Sequence, residues 1–172
     1  MLNKLGGFFP PFLFLKKGLN YSMVEDIKSI VEEVLHKLNR YSDDAVALIV
    51  RTGLAETGFR KLIQYGGGPG LGFFQVELAT AKDILENYVN YRPKYLEILL
   101  ELGLNENDLE FSIKTNIALQ VAFCRLHYMR DKNPIPSWTD LEGQAIYWKQ
   151  VYNTPLGKGT VEHFVKACEK DF

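Results

Sequence analysis

Apolar positions recur at helical spacing along nearly the whole chain. Ile27, Ile30, Val31, Val34, Leu35 and Leu38 form one stripe, the mark of a helix with one buried face. Ser22 is placed to cap it, with Glu25 three residues on as the capping-box partner. Ser42 caps a second helix whose first turn holds Asp43 and Asp44, where the helix dipole favours negative charge. That helix carries Val46, Ile49 and Val50 and is expected to run to about Ala55. Further helices are expected over about 79–89, 94–102 (opened by Pro93, ended by Gly103), 110–130, 138–151 (capped by Ser137) and from Thr160 to about 169. The stripe Ile113, Ile117, Val121, Cys124 and Tyr128 marks 110–130 as a long central helix.

One stretch breaks this rhythm. Gly66-Gly67-Gly68-Pro69-Gly70-Leu71-Gly72 holds five glycines and a proline in seven residues, which means turns and positive φ angles. Extended segments at about 62–65 and 71–74 are expected to pair as a small hairpin across it. The pattern predicts a mainly α domain with one glycine-rich insertion.

Composition changes this picture little. The 172 residues suit one domain with a substantial core, and 47% apolar against 24% charged residues is an ordinary globular profile. With 20 basic and 21 acidic residues there is no general basic field, which argues against a nucleic-acid partner. Cys124 and Cys168 lie far apart, lack metal-ligand spacing, and are read as buried reduced thiols. His36, His127 and His163 have no ligand partner at helical spacing and are read as surface or packing residues. No phosphate-binding loop, dinucleotide fingerprint or Gly-x-Ser-x-Gly elbow occurs, so neither metal nor cofactor is expected.

Residues 1–21 stand apart as an N-terminal extension or arm, with residues 22–172 as the domain proper. The apolar run Phe8–Leu15 is far shorter than the roughly 20 residues that span a bilayer, so no stable membrane insertion is expected. Pro10 and Pro11 argue against a helix there, and Lys16 and Lys17 replace the small residues of a cleavage site. Three readings stay open: an arm packed on the domain, a stretch translated ahead of a start at Met23, or a weak export signal.

The chemistry-bearing constellation is Ala55-Glu56-Thr57-Gly58-Phe59, then the glycine loop, then Leu71-Gly72-Phe73-Phe74-Gln75-Val76-Glu77. Cleaving a glycosidic bond needs a carboxylic acid that keeps its proton near neutral pH. A glutamate where an apolar helix meets a folded-over loop fits, because Phe59, Phe73 or Phe74 can exclude water and raise its pKa. The competing reading is a solvated helix-end carboxylate, opposed by the dipole.

These residues resemble the core of the lysozyme-like superfamily, closest to lytic transglycosylases and goose-type lysozymes encoded by bacteriophages. Glu56-Thr57-Gly58-Phe59 is similar to the Glu-Ser-Gly/Phe motif, and Leu71 and Gln75 to the following Gly-Leu-Met-Gln. Thr115–Gln120 resembles the start of the family's central helix, and Tyr147–Thr160 its late aromatic segment. The likeness covers about residues 42–165. It implies a peptidoglycan-degrading glycosidase that cuts the β-1,4 bond between N-acetylmuramic acid and N-acetylglucosamine with Glu56 as general acid. It further implies a monomer of phage virion or host cell that acts on the glycan strand of the wall, reached through the periplasm, as endolysin or wall-penetration protein.

The chain departs from the motif, with Phe73 and Phe74 where Met precedes Gln. That leaves two mechanisms open. A transglycosylase uses one glutamate as acid and then base, whereas an inverting hydrolase holds a water on a second carboxylate, for which Glu77 or Asp83 stand near in sequence. Glu77 reads equally as the cap of the next helix. Gln75, Tyr147, Tyr152 and Asn153 are candidate substrate-binding residues, Gln75 also as a loop brace and Tyr152 as a partner for Glu56. Tyr147 and Trp148 are candidates to stack on sugar rings, but Trp148 shares a helical face with Leu141 and Ala145, which favours a core role. The alternatives in other classes are a chitinase-like enzyme and a non-catalytic virion or glycan-binding protein that keeps the fold.

Overall fold

The computed structural model describes residues 11–62, 68–154 and 157–169, with side chains described from Met23 onward. Among the described residues the chain is mainly helical with one two-stranded antiparallel sheet. α1 is described over Pro11–Lys37 and runs on through Ser22, so the expectation that Pro11 argues against a helix there does not hold. The expected helix start at Ser22 therefore lies inside α1, as does the junction at residues 21 and 22. α2 spans Asp43–Thr57, and Ser42 caps it as expected, its hydroxyl accepting from the Ala45 N–H at 3.1 Å.

The hairpin is shorter and lies later than expected. β1 is Gly70–Leu71 and β2 is Val76–Glu77, with Gly70 opposite Glu77 and Leu71 opposite Val76. Residues 72–75, expected as strand up to 74, form the turn, because Gly72 at φ 70° and Gln75 at φ 51° reverse the chain there. Most of the other expected strand, 63–65, and Gly66-Gly67 lie outside the described residues.

α3 (Leu78–Ile84) runs into a wide π turn over Leu85–Val89, and α4 spans Pro93–Glu101. The long helix expected over 110–130 is two helices. A 3-10 turn at Glu106–Asp108 leads to α5 (Leu109–Thr115), and α6 (Ile117–Tyr128) follows. The break is at Asn116, whose side chain accepts from the Leu119 N–H at 3.1 Å and donates to the Leu102 carbonyl at 2.7 Å. An asparagine that satisfies both caps at once competes with the backbone ladder and ends it.

α7 (Leu141–Trp148) is capped by Asp140, which accepts from the Gly143 N–H at 2.8 Å, and not by Ser137, whose hydroxyl pairs with Thr139. A second π turn covers Lys149–Asn153. α8 (Val161–Cys168) carries its expected Thr160 cap.

α6 is the centre of the core. Leu119, Val121, Ala122, Phe123, Cys124 and Leu126 have no exposure, and the helix packs on α1, α2, α3 and α5. α2 lies between α6 and the pair α7–α8, so its C-terminal end is carried on an apolar platform. Cys124 and Cys168 are buried and not joined in a disulfide. Among the described residues no helix is long and apolar enough to cross a membrane.

Candidate active site

The site begins with how α2 ends. Gly58 adopts the left-handed conformation, φ 57°, and returns its N–H to the Gly53 and Leu54 carbonyls, closing the helix just after Glu56. Thr57 Oγ1 donates to the Phe73 carbonyl at 2.8 Å and so pins the helix end to the hairpin turn. Phe59 is 2% exposed and meets Phe73 and Phe74 edge-on, with centroids 5.8 and 6.0 Å away. The Ala55 carbonyl, left without a helical partner at this end, faces His163 Nε2 at 2.7 Å. A carbonyl only accepts, so that ring nitrogen carries the proton.

Glu56 thus projects, half-buried, from a closed helix end into a cavity. Its carboxyl is held by Trp148, whose indole Nε1–H donates to Oε1 at 3.1 Å. Trp148 is itself 1% exposed and packs on Phe164 at 5.2 Å. Burial raises the Glu56 pKa from 4.5 to about 7, with the indole N–H pulling weakly the other way. Because Oε1 accepts from the indole, the proton of the neutral acid belongs on Oε2.

Glu56 lines a cavity of about 560 Å³. The hairpin, with Gly70, Gln75 and Glu77, forms one wall, and Asn153, Thr154, Gly157, Lys158 and Gly159 contribute to another. Gln120, wholly buried on α6, holds the first. Its Oε1 accepts from the Phe73 N–H at 2.8 Å, and its Nε2 donates to the Ile113 carbonyl at 2.8 Å, freed by the break before α6. Gly72 is obligatory here, since a Cβ would lie 2.2 Å from the Gln120 amide carbon. Lys149 holds the second wall: Nζ donates to Asn153 Oδ1 and to the Thr154 and Gly157 carbonyls, each at 2.8 Å.

The structure brings Glu56, Glu77, Gln75, Tyr152 and Asn153 to this one cavity. Glu77 is exposed and sits at the N-cap position of α3, where its side chain makes no capping bond. Gln75 folds back to donate to the Gly72 carbonyl at 2.7 Å, so it braces the turn. The Tyr152 hydroxyl donates to the Phe74 carbonyl at 2.7 Å rather than to Glu56, and burial pushes its pKa well up. Tyr147 is not part of the lining. It is 6% exposed and stacks on Tyr128 at 5.6 Å, with its pKa pushed up to about 12 by burial and then by Asp131. Asp83 pairs with Arg130 and accepts from Asn87, away from the lining.

Among the lining residues, Trp148, His163 and His127 take places the sequence does not specify. Trp148 was assignable to the core, but a buried indole N–H also needs an acceptor, and that requirement pointed to a polar partner. His163 and His127 both face the cavity. His127 Nε2 pairs with the Val151 carbonyl at 3.1 Å, its ring packs on Tyr152 at 4.9 Å, and burial lowers its pKa to about 4, keeping it neutral. His36 stacks on Tyr41 at the far end of α1.

Set beside known proteins, the chain finds no counterpart: no protein-family model, no curated protein and no solved structure matches it.

Proposed function

We propose that this chain is a glycosidase of bacterial peptidoglycan that cleaves the β-1,4 bond between N-acetylmuramic acid and N-acetylglucosamine, with Glu56 as proton donor. The observation that carries the reading is the setting of that carboxyl: half-buried at a cavity wall, bonded by the Trp148 indole, with its pKa raised to about 7 by desolvation. A general acid works best when its pKa lies near the working pH, since it then both holds and releases its proton. The order of Glu56-Thr57-Gly58-Phe59, the glycine loop and Leu71–Gln75 supports the choice of glycan.

In this mechanism Oε2–H protonates the leaving oxygen as the glycosidic bond breaks. The indole N–H then stabilises the carboxylate that remains, which costs the donor nothing in reorganisation because the bond already exists. Glu77, exposed on the same cavity, is the group to hold an attacking water in a hydrolase. Without it, the Glu56 carboxylate takes a proton from a hydroxyl of the cleaved sugar, whose oxygen bonds to the anomeric carbon left by the broken glycosidic bond, and the acid is regenerated. Gln75, Tyr152 and Asn153 shape the subsite, and Tyr147 acts only through packing on Tyr128. A phage virion or a phage-infected cell is the setting proposed for the activity.

Clearing of a peptidoglycan suspension tests the proposal. Glu56→Gln should lower the rate by about a thousandfold while leaving the fold intact. Equal clearing by both proteins sinks the assignment of Glu56, and binding without clearing by either favours a glycan-binding protein. Activity on chitin in place of peptidoglycan makes it chitinase-like. Mass spectrometry of the products divides the two mechanisms: anhydro-muramyl ends mean transglycosylation, reducing ends hydrolysis.

A further inference from the structure

A second pocket, of about 350 Å³, shares no residue with the cavity around Glu56. It is lined by Leu38, Asn39, Arg40, Tyr88, Arg92, Lys94 and Tyr95. Three rigid chain ends meet there. α1 closes with Asn39 in the left-handed conformation, φ 53°, and with the Arg40 N–H bonded to the Leu35 carbonyl at 2.9 Å. The π turn after α3 supplies Tyr88. Arg92, its N–H bonded to the Val89 carbonyl at 2.7 Å, is the N-cap residue of α4, with Pro93 and Lys94 in the first turn.

The side chains are set as firmly as the backbone. The Tyr88 and Tyr95 rings lie parallel within 8°, 6.3 Å apart. The Arg92 guanidinium lies 3.9 Å from the Tyr88 ring centre and donates to the Tyr88 carbonyl at 2.8 Å. Arg40 lies 6.0 Å from the Tyr95 ring centre. A guanidinium has five N–H donors in a fixed fork, so each arginine retains donors beyond these contacts.

Charge is what makes the pocket a binding site. Arg40, Arg92 and Lys94 line it with no carboxylate among the lining residues. The ion pairs among the described residues involve Lys114 and Arg130, and none of these three. Behind them is a fourth cation, Arg125, half-buried and in electrostatic contact with Arg40 and Tyr95. Its Nε is buried without a hydrogen-bond partner. Three cations thus line the pocket, with Arg125 in electrostatic reach of Arg40. They repel one another, and an anion offsets that repulsion. Two guanidiniums and an ammonium at a helix N-terminus match a compact tetrahedral oxyanion, since the forks take paired oxygens and the helix dipole adds attraction.

We propose that this pocket is a phosphate-binding site that takes a small phosphate monoester, with glycerol 3-phosphate as its probe. The three cations line one pocket rather than forming a track, which favours a small monoester over a nucleic-acid strand. The site does not rest on the glycosidase reading, and its test reads binding alone.

Titration calorimetry of the full chain with glycerol 3-phosphate, at fixed ionic strength, is the experiment. One saturable site is expected. The double variant Arg40→Gln/Lys94→Gln, both exposed side chains, should weaken it at least about tenfold, because each lost contact is a charge-assisted hydrogen bond. Thermal melting of the variant checks that it folds, and Lys94→Glu supplies a second variant with the same expectation. Absence of saturable binding overturns the proposal, as does equal binding by the variants. Inorganic phosphate and poly(glycerol phosphate) form two further arms. Equal affinity for the free ion means the phosphate group is the whole ligand, and tighter polymer binding means a chain passes through the site. A single-stranded DNA oligonucleotide that binds tighter than glycerol 3-phosphate overturns the monoester assignment.

Discussion

The two walls of the Glu56 cavity are both irregular backbone, yet they are held in opposite ways. The hairpin turn is gripped by neutral groups from distant parts of the chain. Thr57, Gln120 and Tyr152, at sequence separations of 16, 47 and 78, satisfy the backbone of Phe73 and Phe74. The other wall is gripped by one cation of its own segment: Lys149 reaches Asn153, Thr154 and Gly157 at separations of 4, 5 and 8. The first wall depends on contacts from across the fold, whereas the second depends mainly on one local cation, so the second is the one expected to open more readily. The acid is carried with the first wall, through Thr57.

Gln120→Leu should break this comparison most severely. It strands the Phe73 N–H and the Ile113 carbonyl inside the core, at a cost of about 4 kcal/mol. Urea unfolding should show that loss as a single cooperative transition at lower midpoint. Two separate transitions, with the hairpin melting first, would contradict the account of the first wall.

The acid between the walls sharpens the comparison through pH. The folded protein keeps the Glu56 proton to about 7 while the unfolded chain releases it near 4.5, so stability falls as pH rises across that window. His127 has the opposite slope. Its folded pKa is lowered from 6.5 to about 4, so stability falls as pH drops through that range. Between about 4.5 and 6.5 the two slopes oppose, and the wild type should be nearly level. Glu56→Gln removes one slope. The variant should gain stability with rising pH in that window and exceed the wild type above pH 7 by about 3 kcal/mol. Parallel wild-type and variant profiles would mean that Glu56 is not buried as described.

Lys149→Met should have the smallest effect, about 1 kcal/mol on global unfolding, because the ammonium's partners regain water when the wall opens. Amide exchange should instead quicken over 153–159 alone. Exchange that also quickens over 70–77 would show that the walls are coupled.

Much of this frame is written locally in the sequence. Ser42 and Thr160 cap their helices, and the α2 stripe buries as its spacing predicts, because a cap and its acceptor lie within one turn. The place of Glu56 near the end of α2 is legible for the same reason, since an apolar stripe runs up to it and a glycine follows. What was not legible depends on partners far along the chain. Asn116 reads as an ordinary residue in a long apolar stripe until the Leu102 carbonyl, 14 residues back, is there to hold it. Ser137 and Asp140 both precede α7, and only packing selects between them. The hairpin slipped because glycines carry no side-chain alternation to set a register. Trp148 reads as core from its helical face, and its second role as the partner of Glu56 spans 92 residues.

That last contact makes the protein its own optical instrument. The chain has two tryptophans, Trp148 sealed against the carboxyl and Trp138 half in water at 52% exposure. With Trp138 replaced by phenylalanine, all indole emission comes from a ring bonded to the group that gains and loses a proton. The ionisation of Glu56 is then visible as light, with no substrate, label or bound probe.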